Sequence, residues 1–86
     1  MAVTIEFRLP ARFGARHVQV AGDFTAWAPL AMEQTGAGDF RLRLGFDRGQ
    51  RVRYRFLVDG ERWMNEPGAA EYMIMPNGSS VSVMRT

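Results

Sequence analysis

Alternation with a period of two is the strongest constraint in this chain. In VTIEFRL, Val3, Ile5, Phe7 and Leu9 point one way while Thr4, Glu6 and Arg8 point the other. HVQVAG continues the pattern, with Val18 and Val20 on one face and Gln19 opposite. FRLRLGF sets Phe40, Leu42, Leu44 and Phe46 against Arg41 and Arg43. VRYRFLV sets Val52, Tyr54, Phe56 and Val58 against Arg53 and Arg55. Side chains alternate across a strand, so each run has one apolar face and one wet face, as in half-buried antiparallel strands.

No window carries helical periodicity, and residues 25–34, the least regular, have room for one short turn at most. Turn signals punctuate the strands: TGAGD at 35–39, DRG at 47–49, Asp59-Gly60 and Asn77-Gly78. Asp-Gly before ERWM predicts a two-residue hairpin. Six to eight short strands separated by such turns imply an all-β sandwich or small barrel. At 86 residues the chain is one domain, 1–86, without linker or repeat.

Composition removes several chemistries. There is no cysteine and a single histidine, His17. Disulfides, thiol catalysis and cysteine-held zinc are therefore excluded, and no metal site or cofactor is expected. His17 opens a strand beside Arg16 and reads as a surface residue. The serines at 79, 80 and 82 lack a nucleophile-elbow setting. Asp59, Glu61 and Glu66 offer carboxylates, but two of them flank a tight turn, where carboxylates are ordinarily solvated. No catalytic residue is assigned. The start, MAVTIEFRLP, is not a signal peptide, and charges interrupt every apolar stretch. The expectation is a cytoplasmic protein that contacts no membrane.

All eleven basic residues are arginine, and the formal net charge is +2. Arg41, Arg43, Arg51, Arg53 and Arg55 form a basic stripe only if their two strands are neighbours. The strand aromatics face the other way, so the stripe lacks a base-stacking platform, and Glu6 is placed to pair with it. Nucleic acid is not the expected partner.

Two tryptophans remain outside the long alternating runs. Trp27 lies in GDFTAWAP and Trp63 in DGERWMNEP. From the residues alone, two readings stand: both cap the ends of a small core, or both are held out to contact a ligand. An indole face packs flat against the apolar C–H face of a pyranose. An arginine between two such rings, with Arg55 the nearest on a wet strand face, adds hydrogen bonds to hydroxyls.

The combination VQVAGDFTAWAPLAM, YRFLVDGERWMNEP and NGSSVSV, in that order, resembles carbohydrate-binding module family 48. That family includes the glycogen-binding module of the AMP-activated protein kinase β subunit and the N-terminal module of isoamylases and branching enzymes. The resemblance runs from Val18 to Val83. It implies an immunoglobulin-like (early-set) antiparallel β-sandwich of about seven strands that binds α-1,4-glucans such as glycogen or starch without catalysis. Trp27 and Trp63 fall on the family's stacking tryptophans, and Arg55 on its hydroxyl-binding basic residue. Asn77 falls near a polar ligand contact in the last loop.

Three departures accompany the resemblance. Glu61 and Arg62 stand where the kinase-subunit form has one residue between the Asp-Gly turn and the tryptophan. Ser79 or Ser80 replaces a family asparagine before the last strand. The last loop is compact, with Met75 near where a longer loop carries an apolar plug. Some members of the family serve as spacers or protein contacts, and EYMIMP, residues 71–76, is apolar enough for a protein partner.

Overall fold

A computed structural model describes residues 2–86 as two antiparallel sheets. The strands are β1 (Ala2–Leu9), β2 (Val18–Gly22), β3 (Leu30–Ala31), β4 (Glu33–Gln34), β5 (Phe40–Asp47), β6 (Arg51–Val58), β7 (Arg62–Met64), β8 (Glu71–Ile74) and β9 (Ser80–Arg85). Seven of these span three residues or more, and single 3-10 turns at Ala11–Phe13 and Asp23–Thr25 are the only helical elements among the described residues. The smaller sheet has the order β1-β5-β4, and the larger has β3-β2-β6-β9-β8 with β7 added alongside β6. This is the all-β sandwich expected from the alternation.

Register shows why the alternation works. In the small sheet Leu9 lies opposite Phe40, Phe7 opposite Leu42, Ile5 opposite Leu44 and Val3 opposite Phe46. In the large sheet Val18 lies opposite Val58 and Val20 opposite Phe56. Cross-strand partners share a face, so every apolar set meets another in phase. Phe7, Leu9, Val20, Tyr54 and Phe56 are fully buried between the sheets. Phe7 meets Tyr54 edge-on at 5.0 Å between centroids and stacks on Phe24 at 5.3 Å.

The segment after β7 is tied to the larger sheet by side-chain hydrogen bonds. Buried Tyr54 donates from its hydroxyl to Glu66 Oε2 at 2.6 Å, and Glu66 N–H donates to buried Ser82 Oγ at 2.8 Å. Ser82 in turn donates to Asn65 Oδ1 at 3.2 Å, and Asn65 Nδ2 donates to Ser80 Oγ at 2.8 Å. Tyr72 closes the patch by donating to the Glu66 carbonyl at 2.6 Å.

Burial raises the Glu66 pKa above its ordinary 4.5, and the Tyr54 hydrogen bond opposes that shift only in part. Tyr54 is pushed upward by burial first and then by the adjacent carboxylate. Glu66 is thus a half-buried structural acid.

The turns depart from expectation in two places. Val58 pairs with Arg62, so the Asp59-Gly60 hairpin loop contains three residues, not two. Asp59 and Gly60 both have positive φ, 54° and 70°, and Glu61 N–H donates to the Val58 carbonyl at 3.1 Å. That is a type I′ turn, with Glu61 the extra residue absorbed before the ladder starts. Nor is Asp59 merely solvated: its Oδ1 accepts the backbone N–H of Arg16 and of His17, each at 2.8 Å. Those two donors hold its pKa below the ordinary carboxylate value and tie the hairpin to the start of β2.

Candidate functional site

β5 and β6 are consecutive in sequence but belong to different sheets, so their arginines form no continuous stripe. Four of the five are also neutralised. Arg41 pairs with Glu33 at 2.9 Å, Arg43 with Glu6 at 3.0 Å, and Arg51 with Glu71 and Arg53 with Asp23 at 3.2 Å. Arg55 has no such acid among the described residues.

It lies instead at a seam on the outer face of the larger sheet. On one side Arg55 is registered against Ala21 of β2, which contributes only a methyl group. On the other side the partner of β6 changes, from β9 along 51–54 to β7 along 56–58. Arg55 falls between the two ladders.

Three loops converge on that seam. Trp27 arrives from the segment after β2. Thr25 Oγ1 donates to the Gly22 carbonyl at 3.0 Å and accepts the Gly22 N–H at 3.1 Å. Trp27 N–H then donates to the same carbonyl at 2.9 Å, closing the loop on Gly22. Gly22 is required by close approach, because a Cβ there meets the Arg53 carbonyl oxygen at 2.3 Å. Phe24 turns inward to the core aromatics. Ala26 and Trp27 are both left-handed, with φ of 52° and 63°. A bulky residue there is costly, by roughly 1–2 kcal/mol, and such outliers concentrate where function requires them.

Trp63 arrives from the hairpin. It lies opposite Leu57, two residues from Arg55 and on the same face, and is 42% exposed. Asn77 and Ser79 arrive from the loop joining β8 to β9. Asn77 Oδ1 accepts the Ser79 N–H at 3.0 Å and the Ser79 hydroxyl at 2.6 Å. The carboxamide NH₂ of Asn77 makes no hydrogen bond among the described residues, and the Ser79 oxygen keeps its acceptor capacity.

Together Trp27, Arg55, Trp63, Met75, Pro76, Asn77, Ser79 and Val81 line one groove of about 390 Å³. Its lining combines two indoles, a methionine, a proline and a valine with polar donors and acceptors, and contains no carboxylate. A groove of that make-up suits a ligand with apolar faces and hydroxyl edges. Over residues 3–79 the chain matches the family described as the glycogen recognition site of AMP-activated protein kinase. The chain belongs to that family. No curated protein matches it.

All five residues singled out from the sequence of this glycogen-recognition module thus line one groove. Sequence reasoning missed Pro76 and Val81 as lining residues, although the alternation of SVSV places Val81 on a single face. It also missed the network formed by the residues just after Trp63, since neither Glu66 nor Ser82 carries a local signal of its partner. Of residues 71–76, Glu71–Ile74 form β8 at the free edge of the larger sheet, where Ile74 is 72% exposed, and Met75 and Pro76 line the groove. Among the described residues no helix is long and apolar enough to cross a membrane.

Proposed function

We propose that this module binds α-1,4-glucans without catalysis, stacking glucose rings on Trp27 and Trp63. Arg55, Asn77 and Ser79 then hydrogen-bond the sugar hydroxyls. Glycogen, starch chains and maltooligosaccharides share the required chemistry, an apolar ring face edged by hydroxyls.

The observation that carries this reading is Trp27. Its loop is closed on Gly22, its Phe24 supplies the core contact, and its backbone is left-handed. The packing of the core is met by Phe24, so the strain at Trp27 is best accounted for by a surface role. Family membership supports the same ligand.

Affinity electrophoresis through gels containing glycogen or amylopectin tests the reading. Polysaccharide retards the wild-type protein, and Trp27→Ala and Trp63→Ala each lose about 30-fold in affinity, the scale of removing an aromatic anchor. Unretarded wild-type protein refutes sugar binding. A second reading, docking of a protein partner through 71–76, draws on the exposure of Ile74 and Tyr72. It predicts that Ile74→Lys abolishes partner capture while leaving retardation unchanged.

A further inference from the structure

We propose that Arg55 is a positioning residue whose guanidinium, lying over both indoles, couples Trp27 and Trp63 into one platform. This rests on the glucan reading above but assigns Arg55 a task beyond hydrogen bonding to sugar.

The guanidinium carbon lies 5.9 Å from the Trp27 ring centroid and 5.3 Å from that of Trp63. Both distances fall within cation–π range. Arg55 Nε is buried and has no hydrogen-bond partner, alone in this among buried side-chain polar atoms of the described residues. An unmet buried donor is costly. Arg41, Arg43 and Arg53 each give Nε–H to a carboxylate, and Arg51 pairs with one through Nη2. The groove lining contains no acid to do the same for Arg55. Its compensation is the pair of indole faces.

Each tryptophan is mounted on its own segment, and among the described residues no ladder or hydrogen bond joins the two segments to each other. Trp27 sits on a left-handed loop, and Trp63 on a three-residue strand paired only to β6. Without a bridge, their relative angle depends on two independent backbone segments. A planar, delocalised cation lies over both at once, whereas an ammonium is a compact point charge that cannot act as a flat spacer. The seam position, with Ala21 on one side and no ladder partner on the other, leaves space for that arrangement.

Arg55→Lys separates the coupling role from charge and donor capacity, both of which it retains. Arg55→Met is the second variant and keeps an apolar stem. Near-ultraviolet circular dichroism of the free protein reads the tryptophan environment, and titration with maltoheptaose reads binding. The expected result is an altered tryptophan spectrum in both ligand-free variants, together with about a tenfold loss of affinity in Arg55→Lys. An unchanged spectrum with reduced affinity makes Arg55 a hydroxyl donor only and overturns the proposal. So does wild-type affinity in Arg55→Lys. If the wild-type protein fails to bind maltoheptaose while the variant spectra still change, the glucan reading fails and the coupling by Arg55 stands.

Discussion

The two tryptophans of the groove are mounted in opposite ways. Trp27 is fixed from behind by backbone: a loop closed on one carbonyl, a core phenylalanine three residues earlier, and a glycine against which another strand is pressed. The chain that follows Trp63 is fixed by side chains. The Trp63 strand has three ladder pairs, and the chain just beyond is held by Tyr54, Ser80 and Ser82. The contrast shows that an exposed aromatic needs an anchor on the far side of its own segment. Strain supplies direction in one case, and a buried polar network supplies it in the other.

The mounts can be broken separately. Gly22→Ala forces a Cβ into the Arg53 carbonyl and costs about 2–3 kcal/mol in chemical denaturation. It shifts the Trp27 indole resonance most, and Trp63 follows only through Arg55. Tyr54→Phe leaves the Glu66 carboxylate without its donor and costs about 2 kcal/mol. Here the larger shift falls on Trp63. Repeating either change in an Arg55→Lys background removes the smaller, transmitted shift. Full independence of the indoles in the otherwise wild-type protein contradicts the coupling.

A smaller effect measures the strain itself. Trp27→Gly is more stable than Trp27→Ala by about 1 kcal/mol, because glycine adopts the left-handed region freely. Equal stabilities place no strain at that position. The polar mount has its own signature in pH. The Glu66 pKa is raised by burial, so its contribution is complete below the ordinary value of 4.5 and is lost as pH rises through the folded value. Asp59, lowered by two backbone donors, acts in reverse: its contribution is present above 3.8 and is lost as pH falls. Thermal midpoints of Glu66→Gln therefore lack the decline above pH 4.5 and keep the loss below about 3.8. A decline that persists in Glu66→Gln belongs to another group.

Much of the sandwich was legible because alternation and register are the same physical statement. Val3 to Leu9 and Phe40 to Phe46 alternate in phase and pair in phase. The site was legible in its residues but not in its mounts. An Ala-Trp step carries no marker for left-handed backbone, which Gly, Asn or Asp normally signals. Glu66 could not be told from a solvated carboxylate, because its partners Tyr54 and Ser82 lie 12 and 16 residues away. Whether the arginines of β5 and β6 share a face was open in the sequence, because consecutive strands need not pair, and the chain crosses between sheets there. That crossing leaves Arg55 to the tryptophans.

The central claim, that both indoles form one glucan platform, has a direct measurement. The chain contains two tryptophans, so its amide-correlated NMR spectrum contains two indole N–H resonances. Titration with maltoheptaose shifts both, with a common half-saturation concentration. Movement of one alone, or of neither, contradicts the account.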